Sequence, residues 1–359
     1  MSDYGVYIIA EAGVNHNGQH DLALSLVDAA AAAGADAVKF QTFDAARLAS
    51  KSAPKAAYQK KNTDENESQF AMLKRLELPR DWHFELQAHA QKKGIEFLST
   101  AFDSDSLDFL SELGMPRFKV PSGELTNAPL LWQFARTRKP LILSTGMATL
   151  SEVEQGLAIV AHALNMDNEP ANMDEVWRSW SNSEFRQKLH GHVTLLHCTS
   201  QYPTPVNEVN LRAMDTLASA FGLDVGYSDH TEGCLIPVAA VARGAKVVEK
   251  HFTLDRNMPG PDHKASLEPT ELKRMVGDIR ALEQAFGDGS KCPQASEWDT
   301  RKAARQQVVA AREVMAGTTL SRADLTTARS GQGLEPSALW GLVGQPSVRH
   351  YEPGEIIQI

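Results

Sequence analysis

Eight short apolar runs, each trailed by polar residues and separated by helical stretches, constrain this chain more than anything else in it. They are Val6 to Ala10, Asp36 to Gln41, Ile95 to Leu98, Arg117 to Val120, Pro140 to Leu143, Val193 to Leu196, Leu223 to Tyr227 and Lys246 to Glu249. Runs this short, bounded by glycine or charge, have the character of strands buried on both faces of a parallel sheet. Helical patterns lie between them: HDLALSLVDAAAAAG ended by Gly34, Asp81 to Lys93 ended by Gly94, and SDSLDFLSELG with Ser104 as its N-cap. Leu130 to Arg136, Leu150 to Leu164 (capped at Ser151 with Glu154 three residues on), Leu211 to Phe221, the crossover CLIPVAAVARGA and Pro269 to Phe286 complete the set. An eightfold alternation of this kind predicts an α/β fold, a (β/α)8 TIM barrel over residues 1–286.

Two polar segments interrupt the rhythm. Thr42 to Leu78, which contains APKAAYQKKNTDENESQ, reads as a long loop over the site. Asn165 to Gly191 carries Trp177 and Trp180 and has no role that the pattern assigns. The stretch GDGSKCPQASEWD marks a linker at 287–300, and residues 301–359 change to short strands and tight turns, a small, mostly β domain.

No apolar run approaches membrane-spanning length, and the start, MSDYGVYIIAEAG, runs into a strand without the basic and apolar regions of a signal peptide. Cys198, Cys234 and Cys292 lack CxxC spacing and read as reduced thiols of a cytoplasmic protein. The net charge of −9 argues against nucleic-acid partners. Seven basic and five acidic residues make the tail from Arg301 onward +2, leaving −11 for the rest, so an anionic substrate needs a local cluster of lysines.

In barrels of this type the site lies at the C-terminal ends of the strands. Those ends are polar here: Glu11, Lys39 and Gln41, Ser99-Thr100, Lys119 with Ser122-Gly123-Glu124, Ser144-Thr145-Gly146, and His197 to Ser200 followed by Tyr202. Charged groups rarely sit inside strands unless paired or working. Two lysines converging with hydroxyls suit a phosphate or carboxylate. The last two strands run into Ser228-Asp229-His230 and Lys250-His251. Histidines at neighbouring strand ends suit a divalent transition metal with open positions for water or substrate, and the loop Pro259 to His263 lies close behind them in the chain. Glu11 and Glu124 are candidates for acid–base work.

The stretches IIAEAGVNHNG, VKFQTF, FLSTAFD, FKVPSGELTN, LILSTGMAT, LLHCTSQYPTP, VGYSDHT and VEKHFTLDRNMPGPDHKASLEP, in this order, resemble the sialic acid synthase family: N-acetylneuraminate synthases and the related legionaminate and pseudaminate synthases. The tail is similar to the family's C-terminal domain, the antifreeze-like (SAF) domain. The resemblance implies condensation of phosphoenolpyruvate with the open-chain aldehyde of an N-acyl hexosamine, with loss of phosphate. It implies a divalent metal, usually manganese, with magnesium or cobalt as alternatives, on His230 and His251. Lys39, Thr100, Lys119, Ser122, Ser200 and Ser228 match phosphoenolpyruvate contacts, and family members often carry asparagine or threonine near Ser200. Glu124, Tyr202 and Asp262 match residues that hold the sugar, and Glu11 a glutamate near the reacting centre. Arg329 matches an arginine that enters the partner subunit's site in a homodimer with exchanged C-terminal domains. Strand-end lysines also suit a Schiff-base aldolase, and the tail alone would suit a sugar- or ice-binding protein. The sugar, N-acetylmannosamine or a 2,4-diacetamido-6-deoxy analogue, stays open at this point.

Overall fold

A computed structural model describes residues 5–50, 54, 55, 59, 63 and 67–359. The chain divides into two compact units, Met1–Phe286 and Gly287–Ile359. In the first, β1 (Tyr7–Gly13), β2 (Ala37–Thr42), β3 (Glu96–Ala101), β4 (Phe118–Val120), β5 (Leu141–Ser144), β6 (Val193–Cys198), β7 (Asp224–Asp229) and β8 (Val247–His251) form one sheet in the order β3-β2-β1-β8-β7-β6-β5-β4. Every pairing is parallel, and the first strand pairs with the last, Tyr7↔Val247 through Glu11↔His251, so the sheet curls into the expected TIM barrel. No ladder joins β3 to β4 among the described residues. β4 is only three residues long and stops at Pro121, which has no N–H to offer a ladder.

Gly226 permits the close packing of β7 against β8. A Cβ at that position would stand 2.3 Å from the Val247 carbonyl oxygen and 2.6 Å from Leu196. Several strands run further than their apolar patterns. β1 continues through Glu11, β3 through Thr100, β6 through Cys198, β7 through Asp229 and β8 through His251. The backbone ladder is indifferent to side-chain polarity where the polar groups find partners across the barrel mouth. Glu11, Lys39, Thr100, Lys119, Ser228 and His251 therefore stand on strands, whereas Ser122, Ser200, Tyr202, His230 and Asp262 follow the strand ends.

Two helix starts differ from expectation. Asp103, not Ser104, caps Ser104–Glu112 by accepting from the Ser106 amide at 2.9 Å. Thr149, not Ser151, caps Leu150–Asn165 in a reciprocal box with Glu152. The 42–78 segment is not all loop: Asp44 caps Ala45–Leu48 and Ser68 caps Gln69–Leu76. Most of APKAAYQKKNTDENESQ lies outside the described residues. The 165–191 insertion folds into Met173–Trp180 and Ser183–Gln187, which pack on the helix before them. Val176 is wholly buried, worth about 1.5–3 kcal/mol for a side chain of its class. Trp180 Nε1 donates to Glu154 at 2.9 Å, and His162 Nδ1 and Ser179 Oγ share a 2.7 Å bond. This insertion supports the barrel's outer layer.

In the second unit β9 (Gln307–Ala310) and β10 (Leu325–Ala328) pair antiparallel over a small core that includes Val308, Leu325 and Tyr351. The expected linker is not featureless, since a helix, Trp298–Ala304, crosses its end.

Candidate active site

A cavity of about 460 Å³ opens at the C-terminal ends of the strands. Glu11, Lys39, Thr100, Lys119, Ser122, Ser200, Tyr202, Ser228, His230, His251 and Asp262 all line it. Two expected residues do not. Glu124 lies on the turn after β4, outside the lining, with its carboxylate accepting from Asn127 Nδ2 at 2.6 Å. Arg329 belongs to the second unit, where it is exposed just after β10.

The floor is a charge cluster. Lys39 Nζ sits 2.7 Å from Glu11 and 3.5 Å from Glu249, and donates to Thr100 Oγ1 at 2.9 Å. Lys119 Nζ and Ser228 Oγ both donate to Glu249 Oε1 at 2.9 Å. All four charged side chains are at most 6% exposed. Each of the two lysines expected at an anion site already has a carboxylate partner, and the cluster is formally neutral. Glu249, missed as a site residue, carries the same sequence signal as the lysines, a charge inside a valine-rich strand.

Burial raises Glu11 above the usual carboxylate range, and the charge of Glu249 adds to this against the pull of Lys39. Burial would raise Glu249 too, but Lys119 and Lys39 outweigh it and hold that carboxyl low. For Lys39, burial works downward, and Glu11 and Glu249 hold its ammonium above the ordinary lysine value. The two carboxylates of the cluster are thus shifted in opposite directions. Asp262 is pushed up to about 7, first by burial and then by the charge of Glu11.

Beside the floor lies a cradle. The Gly146 amide donates to Ser122 Oγ at 3.0 Å. A Cβ at Gly146 would stand 2.4 Å from Ser200 Oγ and 2.7 Å from both Ser122 Oγ and Cys198 Sγ. Ser144 Oγ is buried nearby in the lining without a hydrogen-bond partner among the described residues. Hydroxyls, one amide and two ammonium groups are the donors an anion requires.

The two histidines face one another, ring centroids 5.5 Å apart, with the Tyr202 ring 4.1 Å from His230 and edge-on to His251 at 5.6 Å. His230 Nδ1 lies 2.7 Å from the Thr199 carbonyl oxygen. That bond places the proton on Nδ1 and leaves the Nε2 lone pair free, the tautomer a metal ligand needs. His251 Nδ1 is buried without a partner among the described residues. Burial lowers both histidines, His230 to about 4, so both are neutral at pH 7. Two neutral imidazoles in a cavity that also holds Glu11 and Asp262 fit a divalent ion of mixed nitrogen and oxygen preference. Glu313, His350 and Glu352 also gather on the second unit, but there they are exposed.

Another part of the lining is apolar. Val14, Phe43, Leu48, Met72, Leu73 and Phe102 pack together and line the cavity.

Residues 26–291 match the NeuB family and residues 305–359 the SAF domain. The chain is 48% identical over 351 residues to the N,N'-diacetyllegionaminic acid synthase of Campylobacter jejuni, covering 98% of each. It is 47% identical to the enzyme of the same name from Legionella pneumophila, covering 94% of this chain and 89% of that one. Among solved structures, the N-acetylneuraminic acid synthetase of Leptospira borgpetersenii is similar at 34% identity and a TM-score of 0.66, over 82% of this chain and 90% of that one. With the barrel, its polar mouth and the second unit all accounted for, the chain belongs to the NeuB family.

Proposed function

We propose that this chain is a phosphoenolpyruvate-dependent synthase. It joins phosphoenolpyruvate to the open-chain aldehyde of a 2,4-diacetamido-6-deoxy hexose, giving a legionaminate-type nine-carbon 2-keto acid and phosphate. One observation carries the reading: a single cavity holds ammonium groups threaded between carboxylates, a hydroxyl cradle and two neutral imidazoles. The names of the Campylobacter and Legionella relatives support the sugar class. So does the apolar wall, which suits acyl and C6 methyl groups and offers few partners to an extra hydroxyl.

Lys39, Lys119, Thr100, Ser122, Ser200 and Ser228 hold phosphoenolpyruvate. Tyr202 and Asp262 face the sugar. His230 and His251 hold the divalent ion, manganese before magnesium or cobalt, which when bound polarises the aldehyde oxygen. The C3 carbon of phosphoenolpyruvate attacks the aldehyde carbon, a C–C bond forms, and C2 becomes oxocarbenium-like. Water adds at C2 and gives its proton to a carboxylate. Collapse of that adduct breaks the bond from C2 to the phosphate oxygen, phosphate leaves with the electron pair and takes up the C2 hydroxyl proton, and C2 becomes the keto carbon. The former aldehyde oxygen takes up a proton. Glu11 is the carboxylate assigned here, because it lines the cavity and burial raises its carboxyl, whereas Glu124 stands outside. A Schiff-base aldolase fits less well, since imine formation needs a neutral amine and Lys39 is held charged by its carboxylates.

Phosphate release from phosphoenolpyruvate tests this, with the 2,4-diacetamido-6-deoxy sugar expected to outpace N-acetylmannosamine by about tenfold or more. No release with either sugar overturns the reading, and borohydride trapping of pyruvate would favour the aldolase. The homodimer with exchanged domains is tested by co-refolding His230→Ala with Arg329→Ala. Mixed dimers then restore about a quarter of the sites, whereas activity fixed at the two variants' average rejects the exchange.

A further inference from the structure

Ser228 on β7, His230 just past its end, and Glu249 and His251 on β8 line the cavity. Asp229 and Lys250 alternate with them along the strands, line nothing, and are 0% exposed. Strand alternation turns these two side chains to the outer face of the barrel wall, beneath the helical layer. There Lys250 Nζ binds Asp229 Oδ2 at 2.5 Å and also donates to the Thr231 carbonyl oxygen. Thr231 donates its amide to Asp229 Oδ1 at 3.1 Å and its hydroxyl to Oδ2 at 3.0 Å. Asp229↔Lys250 is also the last register pair of the β7–β8 ladder.

We infer that Asp229 and Lys250 are positioning residues that fix the relative placement of His230 and His251 from behind, an inference that rests on reading those histidines as metal ligands. His230 lies one residue past the end of β7, where no ladder holds it. Lys250 reaches around it, binding the side chain of the residue before and the carbonyl of the residue after. The same lysine immediately precedes His251. One ammonium group thus ties both histidine backbones together, and charge-assisted bonds do so with narrow geometry. Stability alone is a poor account of the pair. A buried ion pair can generally be replaced by apolar residues of similar volume at little or no loss of stability. A pair wholly shut off from water, its carboxylate also bonded to the chain on the far side of His230, is suited to setting position.

The test titrates metal-free protein with Co²⁺, read by visible absorption and calorimetry, beside thermal unfolding. The double variant Asp229→Leu/Lys250→Met is expected to keep its Tm within a few degrees, lose about 10–100-fold in Co²⁺ affinity, and show an altered ligand-field spectrum. A folded double variant with unchanged affinity and spectrum overturns the inference. Thr231→Val removes a single hydroxyl bond from Asp229, and it keeps the inference testable should the double variant not fold. A smaller loss of affinity in the same direction is expected there, and none would count against the clamp. Failure of the metal reading itself looks different: His230→Ala and His251→Ala would then leave Co²⁺ binding unchanged as well.

Discussion

The two walls of the barrel cavity are built in opposite ways. The floor, from β1, β2, β4 and β8, is charge on strands: Glu11, Lys39, Lys119 and Glu249, each locked to another within 2.9 Å. The other wall is apolar and comes mainly from the β1 and β2 ends and the short helices Ala45–Leu48 and Gln69–Leu76. Floor residues are held by ladders and ion pairs that the whole barrel supports. Wall residues belong to a connecting segment that can change without disturbing the sheet. On the proposed function the difference separates two jobs: the floor would handle the anion and the protons, and the wall would select the sugar.

The contrast can be broken hardest at Glu249. Glu249→Gln leaves Lys119 and Lys39 short of a buried counter-charge, and should cost about 3–5 kcal/mol in urea unfolding. A loss below about 1 kcal/mol would mean that the floor is not a mutually dependent cluster. Next comes Lys119→Met, expected to weaken phosphoenolpyruvate binding by about 1.5–3 kcal/mol with the sugar's KM little changed. Equal losses for both substrates would point to a general structural role. On the wall, Leu73→Ser should cut the kcat/KM preference for the 6-deoxy sugar over its hydroxylated counterpart by about tenfold while sparing stability. The smallest effect concerns pH. Asp262 should titrate near 7 by carbon-13 NMR. Glu11→Gln removes a neighbouring negative charge, so the ionised form of Asp262 becomes easier to reach and the midpoint should move to lower pH. An unmoved midpoint would leave burial as the whole cause.

The barrel was legible in the sequence because a parallel strand buried on both faces leaves a dense apolar run, and eight such runs survive the interruptions. The polar mouth was legible for the same reason in reverse, since Lys39 and Lys119 stand out inside those runs. Glu249 escaped because it ends its apolar run as an ordinary boundary charge does, and because ion-pair partners from different strands leave no trace in local spacing. The caps were misplaced by a residue or two, as Asp103 and Thr149 each precede another good capping residue. The helices of the 42–78 segment were invisible because four and eight residues are too few to establish a helical period. Residues 165–191 gave no signal of their own, since their order comes from the helix they cover.

One consequence follows from the missing ladder between β3 and β4. A barrel zipped along seven of its eight interfaces has a preferred place to breathe. Thr100 stands on one lip of that seam and Lys119 on the other. An anion held by both would act as a staple across the gap. Amide hydrogen exchange on the edge of β4 that faces β3, away from the β5 ladder, should then run fast in the free protein and slow when phosphoenolpyruvate is added, while the β1–β8 junction stays protected throughout.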